Sequence, residues 1–175
     1  MTNPDTRSTT DICHALATTL QQRGWMMATA ESCTGGLIAG ACTDLSGSSN
    51  WLERGFVTYS NQAKMDLLGV DAAVLQREGA VSEAVVCAMV QGALSRAPVQ
   101  VAVAVTGVAG PTGGSAAKPV GTVWFGWNID GVVSSQVQVF AGDRAAVRAA
   151  TVRHALVQLL TRIDNAPAAP SGHGR

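Results

Sequence analysis

The sequence predicts an α/β fold: a three-layer α/β/α single domain with a mixed β-sheet. Three observations carry that reading. Strand-like and helix-like segments alternate along most of the 175 residues. The run Val99 to Thr106 has the β-branched, unbroken apolar character of a central strand buried on both faces. Near the C-terminus, Asp130-Gly131 between two apolar runs marks a type I′ hairpin, which puts an antiparallel pair into the sheet.

The elements follow in order. Residues 1–10 are polar and read as a flexible N-terminus. From Asp11 to Arg23, Ile12, Leu16 and Leu20 recur at helical spacing, and Gly24 stops the helix. Trp25 to Ala30 reads as a short buried strand, and Leu37 to Thr43 as a helix. Asp44 to Asn50 is a Ser/Gly-rich loop, followed by a strand from Phe56 to Tyr59. Ser60 caps a helix that carries Lys64, Leu67 and Leu68 and closes at Gly69. A short helix spans Asp71 to Glu78, and Ser82 caps a longer one that runs to Arg96. The loop Gly107 to Gly121 follows the central strand. Thr122 to Ile129 and Val132 to Phe140 form the hairpin, and Asp143 to Ile163 is the last amphipathic helix. The folded domain is therefore expected over 11–163, with a disordered tail over 164–175 that has nothing to bury.

Composition narrows the function. The chain is 47% hydrophobic and 14% charged, with a formal net charge of zero, as in a compact globular protein. No basic stripe offers itself to phosphates, so a nucleic-acid partner is not expected. No apolar stretch approaches a membrane span and the N-terminus lacks a signal-peptide core, so the expected address is cytoplasmic. Cys13, Cys33, Cys42 and Cys87 show no Cys-x-x-Cys pair, and the three histidines are scattered. Reduced thiols are expected, and neither a metal nor a cofactor. Arginine supplies nearly all the positive charge. The two lysines, Lys64 and Lys118, both fall within motifs, and lysine, unlike arginine, can lose its proton when buried.

Three motifs sit where predicted strands end, which is where ligands collect in such folds. Ala30-Glu31-Ser32-Cys33-Thr34-Gly35-Gly36 places a hydroxyl on a tight strand-to-helix turn, with helix-start N–H groups for an anion or oxyanion. Taken locally, Ser32 or Thr34 serves equally as a helix cap, the commoner use of such residues. The motif is not the Gly-x-Ser-x-Gly elbow. Tyr59-Ser60-Asn61-Gln62-Ala63-Lys64 reads either as a core aromatic beside a solvated charge or as partners of a serine nucleophile. Thr106-Gly107-Val108-Ala109-Gly110-Pro111-Thr112-Gly113-Gly114 is either a flexible connector or a cradle of N–H groups for a phosphate or carboxylate. It matches neither Gly-x-Gly-x-x-Gly nor a P-loop.

The order and spacing of these blocks, together with Gly79-Ala80-Val81-Ser82-Glu83 and Phe140-Ala141-Gly142-Asp143-Arg144, resemble the CinA C-terminal family, the nicotinamide-nucleotide amidases. The resemblance runs from Trp25 to Leu160 and is to the form that stands alone, without an extra N-terminal domain. It implies a homodimer that hydrolyses nicotinamide mononucleotide to nicotinic acid mononucleotide and ammonia, a step of pyridine-nucleotide recycling. It also implies Ser32 as nucleophile, with Tyr59 and Lys64 as its activating partners. Substrate contacts would come from Glu31, Cys33, Thr34, Gly35 and Gly36, from Thr106, Gly107, Ala109, Gly110, Pro111, Gly113 and Gly114, and from Arg144. Two rivals stand beside this reading: Cys33 as the nucleophile, and a nucleotide-binding module without turnover.

Overall fold

The computed structural model describes residues 5–167; the first four residues and most of the expected tail lie outside them. The chain forms α1 (Thr9–Arg23), β1 (Met27–Glu31), α2 (Leu37–Thr43), a 3₁₀ turn at Ser48–Asn50, β2 (Leu52–Val57) and α3 (Asn61–Leu68). It continues through α4 (Ala72–Glu78), α5 (Glu83–Arg96), β3 (Val101–Gly107), β4 (Thr122–Ile129), β5 (Val132–Val139) and α6 (Arg144–Asn165). The five strands make one sheet in the order β2-β1-β3-β4-β5. The first three are parallel and the last two run antiparallel, so the expected mixed sheet is what forms.

Alternation along the strands sorts side chains between two unlike cores. On β3, Val101, Val103 and Val105 point to the side of α1 and α6, where Phe125, Trp127, Leu156 and Leu159 complete the larger cluster. Ala102 and Ala104 point the other way, onto Val86, Met89 and Val90 of α5. The small residues let α5 lie close to the sheet. A Cβ at Gly126 would meet the Val86 carbonyl oxygen at 2.9 Å, so only glycine fits there. The hairpin turn has positive φ at both Asp130 (50°) and Gly131 (88°), with Ile129 paired to Val132, as a two-residue type I′ turn requires.

The expected elements all form, with shifted ends. β1 starts at Met27 and includes Glu31, and β3 runs from Val101 to Gly107. α1 begins two residues before Asp11 because Ser8 and Asp11 make a reciprocal capping box. α6 continues past Ile163 to Asn165. The largest shift is in β2, which begins at Leu52 and ends at Val57 rather than covering 56–59. β2 lies at the sheet edge, where half-buried Glu53 and exposed Arg54 are tolerated and even protective. Charges and a glycine therefore hid the first half of the strand. Gly55 faces α2 so closely that a Cβ there would lie 3.1 Å from Ala39 Cβ.

This topology places the site. The chain leaves β1 towards β2, then crosses back to β3 on the other side of β1. The carboxyl ends of β1 and β3 thus flank a topological switch point, with Ser32 just past one and Thr106 at the other.

Candidate active site

Ser32 leaves the sheet immediately after β1, and its N–H donates to Val105 O on β3 at 3.1 Å. Its hydroxyl does not cap α2. That role belongs to Glu31, which strand alternation sends to the α2 side with Met27 and Thr29. The fully buried Glu31 carboxylate accepts from Gly36 N (3.1 Å), Ile38 N (2.9 Å) and Ala39 N (2.8 Å), and from the hydroxyls of Thr34 (2.6 Å) and Thr29 (3.2 Å). Five donors fill its lone pairs, and the negative charge sits at the positive end of the α2 dipole. Glu31 is thus turned into the protein, and so is the Thr34 hydroxyl.

The capping carboxylate determines which amides remain. Gly35 N donates to Ser32 O and Leu37 N to Thr34 O, while Gly36, Ile38 and Ala39 serve Glu31. Among the described residues, no other residue accepts from the N–H groups of Cys33 and Thr34. These two amides adjoin the serine, the position in which oxyanion donors are needed.

Lys64 enters from the first turns of α3, which Ser60 caps by accepting from Ala63 N at 3.0 Å. It is 1% exposed. Its Nζ lies 3.0 Å from Ser32 Oγ, 2.9 Å from Thr58 O and 3.3 Å from Tyr59 O. No carboxylate forms an ion pair with it among the described residues. Burial therefore lowers its pKa, against a weaker upward pull from Cys33. As an ammonium, Nζ has three N–H donors, taken by the two carbonyls and Ser32 Oγ. Once the proton is lost, two N–H donors remain for the carbonyls, and the lone pair is free to turn to the Ser32 hydroxyl proton.

Tyr59 is 61% exposed, and its hydroxyl meets Arg144 Nη2 at 3.0 Å. Its contact with Lys64 is through the backbone carbonyl. Arg144 also donates to Gly110 O at 3.0 Å, so one guanidinium ties the glycine-rich loop to Tyr59 across the mouth of the site. Ser32, Cys33, Tyr59, Asn61, Lys64, Thr106, Gly107, Ala109 and Arg144 line a cavity of about 240 Å³, walled also by Ala80 and Val81. A second cavity of about 640 Å³ shares Ala109 and Arg144 with it and adds Pro111, Val120, Gly142, Asp143, Ala145 and Arg148. The two cavities therefore adjoin at Ala109 and Arg144.

The remaining residues singled out in the sequence take supporting places. Thr106 Oγ1 donates to Ala80 O at 2.9 Å and so fixes the Ala80-Val81 wall. Gly110 has φ +79°, and a Cβ there would meet Val120 at 2.4 Å, so the loop folds tightly onto Val120 rather than hanging free. Gly35, Gly36, Gly113 and Gly114 line neither cavity. Lys118 is outside the site: its Nζ donates to Glu78 O at 3.0 Å, at the end of α4. No group of three or more His, Cys, Asp or Glu among the described residues is placed to hold a metal ion.

Sequence reasoning passed over Asn61 and Arg148. Asn61 lies inside the Tyr59–Lys64 motif, one residue past the cap. Arg148 follows Arg144 by one helical turn, an i,i+4 spacing that puts both on one face of α6.

Residues 9–163 match the family model described as the CinA C-terminal domain. The chain belongs to the CinA C-terminal domain family. One relative, named nicotinamide-nucleotide amidohydrolase PncC, from Enterobacter agglomerans, is 60% identical over 130 residues, covering 74% of this chain and 79% of its own. A Pseudomonas putida protein of the same name is 51% identical over 151 residues, covering 86% and 94%. Among solved structures, the CinA superfamily protein ECK1530/EC0983 of Escherichia coli superposes with a TM-score of 0.88 at 42% identity, covering 93% of this chain and 94% of that one. No helix among the described residues of this CinA-family chain is long and apolar enough to cross a membrane.

Within the family fold, Cys33 is poorly suited to attack. It is 6% exposed, and burial pushes its thiol up to about 11, so almost no thiolate exists near neutrality. Cys33→Ala is expected to retain most of the amidase turnover in an ammonia-release assay; loss of activity in a folded variant would restore the thiol as a candidate.

Proposed function

We propose that the chain hydrolyses the carboxamide of nicotinamide mononucleotide, releasing ammonia and nicotinic acid mononucleotide, by acyl transfer to Ser32. The observation that carries this reading is the buried Lys64 amine, 3.0 Å from Ser32 Oγ and without a carboxylate partner. Relatives named for this activity at 51–60% identity support the substrate. The amine accepts the serine proton as Oγ attacks the carboxamide carbon. The oxyanion that forms faces the free N–H groups of Cys33 and Thr34. Lys64 returns the proton to the departing nitrogen, which leaves as ammonia. A water, deprotonated by the same amine, then cleaves the acyl-serine to the acid and restores the hydroxyl. Tyr59, held by Arg144, flanks the entrance rather than relaying the proton.

The larger cavity takes the phosphate end. Arg144 and Arg148 supply charge there, at the N-terminus of α6, whose dipole favours an anion. The reading includes a homodimer, which sedimentation equilibrium tests directly.

Ammonia release is the test, with nicotinamide mononucleotide compared against its riboside, free nicotinamide and glutamine. Losing charge-assisted contacts to the phosphate is expected to lower kcat/KM for the riboside by about 100-fold. Equal kcat/KM for nucleotide and riboside would remove the phosphate from the reading, and no ammonia from any of the four would overturn the activity.

A further inference from the structure

The turn that carries Ser32 is gripped by two side chains of opposite charge. Glu31 is enclosed and takes N–H groups on the α2 side. Arg148, reaching over from α6, takes carbonyls: Nε donates to Cys33 O at 3.2 Å and Nη2 to Thr34 O at 3.1 Å. A trans peptide plane holds its C=O and N–H on opposite sides. Fixing the Cys33 carbonyl therefore fixes the direction of the Thr34 N–H, one of the two free donors beside the serine. The same guanidinium lines the larger cavity, and no described residue accepts from its Nη1.

We infer that Arg148 is a positioning residue that couples the anionic end of the substrate to the oxyanion donors of the Ser32 turn. Its inner edge sets the Cys33 and Thr34 peptide planes while its outer edge faces the cavity assigned to the phosphate, so occupancy there tightens the turn. The inference rests on the amidase reading and gives it a reason for preferring a phosphorylated substrate beyond affinity: the anion also orders the catalytic turn. Arginine is required because its planar fork spans two carbonyls and still presents donors in another direction. A lysine ammonium supplies equal charge without the fork.

Arg148→Lys separates the two roles. Steady-state kcat and KM are measured on nicotinamide mononucleotide. The Kd of the nucleotide is measured by calorimetry in a Ser32→Ala background, with and without Arg148→Lys, so that turnover does not intervene. The expected result is a fall in kcat of about 30- to 100-fold, the scale of a slightly misplaced catalytic group. Kd should stay within about 3-fold, because charge is preserved. Full kcat in Arg148→Lys overturns the inference, as does a loss that lies wholly in KM and Kd, which would make Arg148 an anion contact only. Should the lysine variant fail to fold, Arg148→Met, which keeps the length and the helix, takes its place. Its kcat at saturating nucleotide should fall equally, and wild-type kcat there overturns the inference. A wild-type protein that releases no ammonia from the nucleotide overturns the amidase reading itself, whereas an active wild type with an unaffected variant overturns only the role of Arg148.

Discussion

Ser32→Ala is expected to remove amide hydrolysis while leaving the fold and nucleotide binding in place. The hydroxyl sits at the end of β1 and makes one side-chain hydrogen bond, to Lys64. Its loss leaves the Lys64 amine with both backbone carbonyls, Thr58 O and Tyr59 O, so the stability change is about 1 kcal/mol. The turn itself does not depend on the hydroxyl, because Glu31 and Arg148 hold it. Turnover is different, since no other group near the amine can form the acyl intermediate. A fall in kcat of about 10⁴-fold or more is expected, with the remainder owed to binding and oxyanion donors alone. Single-turnover ammonia release together with calorimetric binding of the nucleotide measures both halves. Turnover near wild type would sink the nucleophile assignment. Intact binding with no activity in the wild type would favour a module that binds without turning over.

Lys64 variants are expected to show nearly as large an effect, with a distinctive response to pH. The active form is the neutral amine, and burial lowers the lysine pKa from its ordinary value. Activity should therefore rise with pH as the ammonium loses its proton, and level off above the folded-state pKa. Lowering the pH protonates the amine, closes the lone pair to the Ser32 hydroxyl and turns the bond round, so that Nζ donates to Oγ. Lys64→Ala should lower kcat by about 10²- to 10⁴-fold, the usual worth of a general base. Lys64→Arg is expected to do no better. It keeps the charge but cannot give up a proton near neutrality, and the guanidinium is too large for a site that is 1% exposed. Profiles of kcat against pH for both variants decide the matter. An active Lys64→Arg enzyme with an unchanged profile would move the base elsewhere, to a water or to Tyr59. Tyr59→Phe, which removes only the hydroxyl now held by Arg144, would then be the next variant to measure.

Most of the layer architecture was legible because periodicity reports burial. Val99 to Thr106 could only be a strand covered on both faces, Asp130-Gly131 only a tight turn, and Ser60, Ser82 and Asp143 each sit at the helix start their side chain caps. β2 was the exception. An edge strand needs no apolar alternation over its outer half, so Leu52 to Gly55 carried no strand signal.

At the site, sequence by itself determined the three strand-end motifs, the absence of metal-ligand spacing and the odd retention of lysine at 64. Those features are local, and local chemistry is what residue types and spacing encode. It left open whether Ser32 capped a helix or faced a base, because that depends on where neighbouring strands put other side chains. Only the tertiary structure decided it: Glu31, projected to the α2 side by strand alternation, takes over the cap, and α3 carries Lys64 back over the end of β1 to meet the freed hydroxyl. Arg148, 116 positions from Ser32, reaches the serine turn only because α6 packs across the sheet beside α2. Contacts between distant segments follow from chain topology and the sharing of donors and acceptors in a closed interior, which no local pattern records.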